Sequence, residues 1–522
     1  LLLLTLTGYT DFTRITITGK KSRVKILLSS ICLESGTDIQ LALYYLQSYL
    51  VKRKASHCRG SEVRVRLFTE DIPVSIIVKS LLSQKPGVVG FSCYLWNIKK
   101  TLLVCRQLKR KDTRVKIVLG GPEVTARAEQ ILKEEPAVDF VVRGEGEAAF
   151  ADLAVAYFKA SGIKGLSFRD ADKIISTPDR KNMHNLDGIP SPYLNGLIGL
   201  DAGNIIDVPL ETARGCASRC GYCYYHKNYP RLRYFPLSRV RRELQYILSR
   251  KPREVYLMDA TFNSHPPRAK EILRLFIRYN KGTNLHVELK AEFVDDEMAL
   301  LLRRAKAYNI EIGIQSTNPH TLQAVNRPFD KKRFKSGIGF LNKHNLIYEI
   351  QLIDALPYQS YEDLKNSLDW LYSLHPVKVA ILRLSVIAGT SLHAHARRWG
   401  IRYDPQPPYW AYQTPHLSVL DMKKIEQLRF AMDRLYDSRV FQNTLYALQH
   451  KAGIRITTIF EDWVLWEAAL RRKSRNYPDY LNSKLPEFLE YVCRKEGKMA
   501  FYKLLVPGLQ GDLLEYQHRY YS

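Results

Sequence analysis

Cys216, Cys220 and Cys223 stand in the run Arg214-Gly215-Cys216-Ala217-Ser218-Arg219-Cys220-Gly221-Tyr222-Cys223, and their CxxxCxxC spacing limits what the surrounding chain can build. A short loop with this spacing can aim three thiolates at three corners of a cubic [4Fe–4S] cluster and leave the fourth iron without a protein ligand. An open iron is a place for chemistry. The alternatives are a three-cysteine zinc site or three unrelated buried thiols. Zinc sites usually pair CxxC with a distant CxxC or with histidines, and the run has no fourth cysteine nearby.

With 522 residues and 46% hydrophobic content the chain has room for two or three ordinary domains. The eight cysteines are few for this length, and Cys32, Cys58, Cys93, Cys105 and Cys493 do not suggest a disulfide framework, so a reducing, cytoplasmic setting is expected. The opening Leu1-Leu2-Leu3-Leu4 is too short for a membrane span, and residues 1–22 are set aside as an uncertain N-terminal extension. An excess of 79 Lys and Arg over 52 Asp and Glu, a formal charge of +27, invites a nucleic-acid reading. The basic residues, Arg239, Arg241, Arg242, Arg250 and Lys251 among them, are spread as solvated helix faces, and no nucleic-acid module accompanies them. Attraction of anionic cofactors or partners explains the charge more simply.

Apolar runs at 24–28, 63–67, 88–91, 115–119 and 138–142 alternate with helical patterns around 38–51, 74–84, 97–110 and 124–134. Five strands with crossover helices predict a doubly wound, flavodoxin-like parallel sheet over residues 23–175, which binds ligands at the carboxyl ends of its strands. Ser92 follows the third strand, Gly120-Gly121-Pro122-Glu123 the fourth, and Arg143-Gly144-Glu145-Gly146-Glu147 the fifth. Glycines there permit close backbone approach, although a tight turn alone would also use them. After a turn-rich connector, 176–200, strands read at 205–213, 254–258, 285–290, 310–315, 348–354 and 377–387, with helices such as Val240, Leu244, Ile247 and Leu248 between them. Six such units over 201–404 predict a partial (β/α)6 TIM-like barrel whose function lies on its carboxyl-terminal rim.

The cysteine run resembles the signature of the radical S-adenosylmethionine (SAM) enzymes, down to the aromatic Tyr222 before the third cysteine. The strand-end turns Gly-Phe-Ser-Cys-Tyr, Leu-Gly-Gly-Pro-Glu-Val and Arg-Gly-Glu-Gly-Glu resemble the cobalamin-binding domain of the cobalamin-dependent members. The resemblance implies SAM on the open iron of a cluster held by Cys216, Cys220 and Cys223, and cobalamin with its nucleotide tail lined by Ser92, Gly120, Gly121, Gly144 and Glu145. No histidine follows an aspartate at the DxH spacing, so a cobalamin with its own base displaced and no histidine on cobalt is implied. The alternative is a domain that has lost its cofactor and serves as scaffold. On the barrel rim, Met258-Asp259-Ala260-Thr261-Phe262-Asn263 occupies the place of the segment that meets the SAM methionyl amine, with Asp259 and Thr261 as acceptors. Glu288 and Glu292 offer carboxylates to the SAM ribose or a substrate amine, or are paired surface groups. Gln315, Ser316 and Asp354 close the fourth and fifth strands.

The chain departs from the family at Ala355, where glycine precedes Leu-Pro, at Ala388, where proline precedes Gly-Thr, and at Ala260. Residues 405–522, opened by Pro405, Pro407 and Pro408, read as a helical extension in which Trp463 and Trp466 pack, and lone Cys493 excludes a second cluster there. The expected activity is that of a cobalamin-dependent radical SAM methyltransferase acting on an unactivated carbon of a small-molecule or peptide substrate. Its electron donor is a low-potential protein such as flavodoxin or ferredoxin, and neither membrane nor nucleic acid is an expected partner. The rivals are cyclisation, rearrangement or oxidation with the same cofactors, and, in another class, a basic RNA-binding or redox scaffold with an inert cluster.

Overall fold

The computed structural model describes residues 24–33, 39–57, 62–200, 207–439, 441–471 and 481–520, so residues 1–22 lie outside the described residues. Strands β1 (Lys25–Cys32), β2 (Glu62–Thr69), β3 (Val88–Ser92), β4 (Lys116–Gly120) and β5 (Phe140–Val142) lie in the parallel order β2-β1-β3-β4-β5. The order reverses between β1 and β3, and that reversal opens a crevice at their carboxyl ends. Both faces of the sheet carry an apolar core. Leu27, Ile31, Val89 and Leu119 serve one side, and Ile26, Leu28, Val118 and Phe150 the other. Beyond the five expected strands, β6 (Leu166–Asp170) and β7 (Lys173–Ser176) add an antiparallel hairpin that covers the β5 edge. The helix expected over 124–134 is two pieces, Pro122–Thr125 and Ala128–Glu134.

Strand β8 (Asp207–Leu210) opens the second sheet; β9 (Ala213–Arg214) leaves it to pair antiparallel with β10 (Arg233–Tyr234). The sheet continues through β11 (Glu254–Leu257), β12 (Asn284–Leu289), β13 (Ala307–Gln315), β14 (Glu349–Ile353) and β15 (Lys378–Leu382). Its order β15-β14-β13-β12-β11-β8 is parallel throughout, an open half-barrel. Its helices bury the faces their periodicity marks, as Val240, Leu244, Ile247 and Leu248 do in Leu237–Ser249. Several of its helices begin where side chains satisfy free backbone donors, as at Asp295, Asp330 and the Ser360/Asp363 capping box.

The C-terminal region is helical: Val419–Met432, Gln442–Ala452, Ile456–Arg471, Leu481–Lys495 and Met499–Tyr520. Trp463 is fully buried, with its ring 4.9 Å from that of Phe488 and 5.4 Å from that of Trp466. The Arg429 guanidinium reaches from this region to the Asp354 carboxylate and to the Ile381 carbonyl. Among the described residues no helix is long and apolar enough to cross a membrane.

Candidate functional site

The cysteine loop begins where β9 ends. Gly215 has φ 101°, and a Cβ there would collide with the Arg231 carbonyl, so the turn into Cys216 needs glycine. Neighbouring elements then grip the loop. The Gly221 amide donates to the Val325 carbonyl at 2.7 Å, the Leu392 amide donates to the Gly221 carbonyl at 2.8 Å, and the Asn326 side chain donates to the Arg219 carbonyl at 3.0 Å. Cys220 is buried, Cys216 and Cys223 are half-buried, and none is in a disulfide. Burial raises the Cys223 thiol, and the Cys220 and Cys216 sulfurs add to the shift, which puts the three thiols in one electrostatic neighbourhood. The Arg327 guanidinium donates to Cys220 Sγ at 3.5 Å, and Tyr222, which precedes Cys223 in the loop, has a hydroxyl raised by burial. Among the described residues, no three His, Cys, Asp or Glu side chains close on one point as a mononuclear zinc site requires. The three thiols share one loop at the CxxxCxxC spacing, the donor set that a cluster with one open iron would take.

The rim residues after β11 divide by role. Thr261 Oγ1 lies 3.8 Å from Cys216 Sγ, and Thr261 lines a cavity of about 250 Å³ with Ser218, Lys290, Phe293 and Asn326. Asp259 faces elsewhere. Its carboxylate accepts from the Thr212 amide at 2.7 Å, from the Ala213 amide at 3.0 Å and from the Thr212 hydroxyl, so it ties the end of β11 to the segment leading into the cysteine loop. Asp259, expected as an acceptor for the SAM amine, is only 4% exposed and already receives three hydrogen bonds from the chain. Burial pushes its carboxyl up to about 6 despite those donors. Asn263 likewise clasps the Lys290 backbone in both directions.

Glu288 sits inside the barrel and accepts from the Tyr256 hydroxyl at 2.8 Å; burial raises its pKa. Glu292 is half-buried, and Ser316 is buried with its hydroxyl accepting from the Asn318 amide. Asp354 is fully buried and accepts from the Arg429 guanidinium and the Leu384 amide. Gln315 differs. It is 9% exposed, has φ 76°, and its amide oxygen is buried with no hydrogen-bond partner. An orphaned buried acceptor at the end of a barrel strand is what a polar ligand such as SAM would satisfy.

Between the two sheets lies a cavity of about 440 Å³, within the size range of ligand pockets. The first domain contributes Ser92, Tyr94, Gly120, Gly121, Gly144 and Glu147; the barrel contributes Glu211, Arg214, Tyr225, Tyr229 and Met258. Gly121, at φ 107°, presses so closely on Cys93 that a Cβ would lie 2.5 Å from its carbonyl oxygen, while a Cβ on Gly144 would point into empty space. These glycine turns at strand ends form a cradle that fits a bulky cofactor tail. The described lining residues include no histidine. Glu145 is not among them: its carboxylate accepts from Arg233 at 2.6 Å and from the Met183 amide at 2.8 Å. Burial works against the Glu145 charge, yet Arg233 and Arg214 hold its carboxyl below the ordinary range.

Sequence reasoning missed Arg214, Glu147, Glu211, Lys290 and Arg327. Arg214, 3% exposed, donates to Glu147 at 2.7 Å and to Glu211 at 3.0 Å and lies 3.5 Å from Glu145, joining both domains directly before the first cysteine. Burial pushes Glu211 up to about 7 against the pull of Arg214. Adjacency to the cysteine motif could have pointed to Arg214 and the strand-end turn Arg143–Glu147 to Glu147; nothing in residue type or spacing marks the other three.

Fold and site together define a protein with a cobalamin-type sheet domain set against a half-barrel that carries a three-cysteine loop. Family models place a B12 binding domain at residues 51–154, the radical SAM superfamily at 210–371, and a protein family of unknown function, DUF4080, at 397–516. The chain thus carries a B12 binding domain followed by a radical SAM domain. It is 26% identical over 313 residues to an uncharacterized methyltransferase of Pyrococcus horikoshii, covering 58% of this chain and 68% of that protein. It is 25% identical over 261 residues to the cobalamin-dependent radical SAM methyltransferase TokK of Streptomyces tokunonensis, covering 47% of this chain and only 38% of TokK. The structure of the cobalamin-dependent SAM radical enzyme OxsB with aqua-cobalamin bound superposes with TM-score 0.63 over 95% of this chain and 81% of that one, at 15% identity, which shows the shared fold.

Proposed function

We propose that this chain is a cobalamin-dependent radical SAM C-methyltransferase. The observation that carries the reading is the cavity in which Ser92 at the end of β3 and the glycine turns after β4 and β5 face Arg214, Tyr225 and Met258. Bound there, the cofactors supply a 5′-deoxyadenosyl radical that removes a substrate hydrogen and a methyl group that replaces it. Cys216, Cys220 and Cys223 hold three corners of the cluster, and the Arg327 guanidinium at Cys220 offsets its negative charge. Thr261, Gln315 and Glu288 are the proposed SAM contacts, with Tyr222 packing beside the cluster. Ser92, Gly120, Gly121 and Gly144 cradle the cobalamin tail, while Glu145 acts through the Arg214 and Arg233 ion pairs that set the two domains against each other. The proposed substrate is a small molecule or peptide, the electron donor a low-potential carrier protein, and the setting cytoplasmic.

The test is anaerobic reconstitution with iron, sulfide and cobalamin, followed by reduction in the presence of SAM with a deuterated methyl group. The expected products are 5′-deoxyadenosine, S-adenosylhomocysteine and deuteromethylcobalamin. SAM cleavage without methyl transfer to cobalamin would move the reading to cyclisation or rearrangement. No SAM cleavage would leave a scaffold.

A further inference from the structure

The turn that ends β4 takes its shape from its surroundings. Gly120 and Gly121 run into the helix Pro122–Thr125, which at four residues is too short to be stable by itself. Within the first domain the Glu123 amide donates to the Cys93 carbonyl at 3.4 Å. The Thr125 hydroxyl donates to the Gly121 carbonyl at 2.8 Å and accepts from the Gly144 amide at 3.4 Å, so the glycine turns after β4 and β5 are joined.

A further support comes from 286 positions downstream. The Glu123 carboxylate accepts from the Tyr409 hydroxyl at 2.5 Å and from the Arg127 guanidinium at 2.6 Å, and that guanidinium lies 5.4 Å from the centre of the Tyr409 ring. Glu123 and Tyr409 are each 5% exposed, so water does not compete for the contact. Burial raises the Glu123 carboxyl against the pull of both donors. Tyr409 belongs to the segment that matches the family of unknown function, and the barrel fixes it in turn. Its carbonyl accepts from the Val386 amide at 2.9 Å, and the Ala411 amide donates to the Leu384 carbonyl at 2.9 Å. Ile387, beside Val386, lines the interdomain cavity, and a Cβ on Gly389 would lie 2.7 Å from that of Ala126. Barrel wall, C-terminal extension and β4 turn therefore meet around one buried carboxylate.

We propose that Tyr409 is a positioning residue for cobalamin: through Glu123 its hydroxyl holds the Gly120-Gly121-Pro122 turn in the shape that accepts the nucleotide tail, which gives the C-terminal extension a task at the cofactor site. The proposal rests on the reading that the interdomain cavity takes cobalamin. Gly120, Gly121 and Pro122 line that cavity, whereas Glu123 and Tyr409 are not among its described lining residues, so the pair acts from behind the turn. Without the hydroxyl, Glu123 is left with Arg127, which sits on the same short segment, and the turn loses its tie to the extension. Cobalamin would then have to order the turn as it binds, at a cost in affinity.

The test uses the full chain, reconstituted with iron and sulfide but without cobalamin, and its Tyr409→Phe, Glu123→Ala and doubly substituted variants. Hydroxocobalamin is titrated in anaerobically and followed by absorbance, and iron content is measured alongside. Tyr409→Phe is expected to bind hydroxocobalamin about tenfold more weakly while keeping the parent's iron content, and Glu123→Ala to lose at least as much. Because both residues act through one contact, adding Tyr409→Phe to Glu123→Ala should weaken binding by less than about twofold more. An unchanged affinity in Tyr409→Phe would overturn the proposal. So would an equal further loss in the double variant, or a fall in iron content that matches the fall in cobalamin uptake, which would mark a general structural role. A parent chain that takes up no hydroxocobalamin would overturn the cobalamin reading itself, and this proposal with it.

Discussion

Replacing Asp259 with alanine separates a residue that shapes the cysteine loop from one that binds SAM. Its carboxylate accepts from the Thr212 amide, the Ala213 amide and the Thr212 hydroxyl, all within a few residues of Cys216. A buried donor left without a partner costs about 1–3 kcal/mol, so two orphaned amides put the loss at roughly 2–6 kcal/mol. Asparagine keeps one acceptor for the amides and can donate to the Thr212 hydroxyl, so Asp259→Asn is expected to lose less, about 1–2 kcal/mol. The assay is denaturant unfolding of the apo chain together with iron content after anaerobic reconstitution. Asp259→Ala should unfold at lower denaturant and take up less iron, and Asp259→Asn should fall between it and the parent. If the alanine variant keeps the parent's unfolding midpoint and iron content but binds SAM more weakly, the carboxylate faces the cofactor and the positioning argument is wrong.

Three further outcomes follow from the geometry. Gly121→Ala forces a Cβ to 2.5 Å from the Cys93 carbonyl at φ 107°, so cobalamin uptake in spectroscopic titrations should drop while cluster absorbance persists; uptake equal to the parent's would refute the cradle. Arg214→Leu strands the Glu147 and Glu211 carboxylates at the domain junction, leaving Glu145 to Arg233, and should destabilise the chain by about 3–5 kcal/mol in urea unfolding, whereas a change below about 1 kcal/mol would show that the network is dispensable. In the barrel interior burial opposes the His286 charge, but Glu254 and Glu311 outweigh it and push the imidazole up from 6.5 to about 9. Because the folded value is the higher one, this stabilisation is complete below pH 6.5 and disappears as pH rises through about 9, so thermal unfolding should weaken over that window and His286→Gln should flatten the slope.

The cysteine spacing, the alternation of strands with amphipathic helices and the glycines at strand ends were legible in the sequence by itself. Each is a local pattern whose meaning is set within a few residues, and together they were enough for the fold class. The antiparallel hairpin β6–β7 escaped because its short strands, such as Lys173–Ser176, carry little burial pattern of their own. Asp259 had the right residue type at the right strand end, yet only packing revealed that Thr212 and Ala213 occupy its oxygens. The Glu145 and Arg214 contact joins residues 69 apart in sequence, and the Glu123 carboxylate accepts from a Tyr409 hydroxyl 286 positions away. A carboxylate or guanidinium can pair with any opposite charge that the fold brings within reach. Local spacing sets which elements form; only their closure against one another decides which polar atoms are taken and which, like the Gln315 amide oxygen, are left open for a ligand.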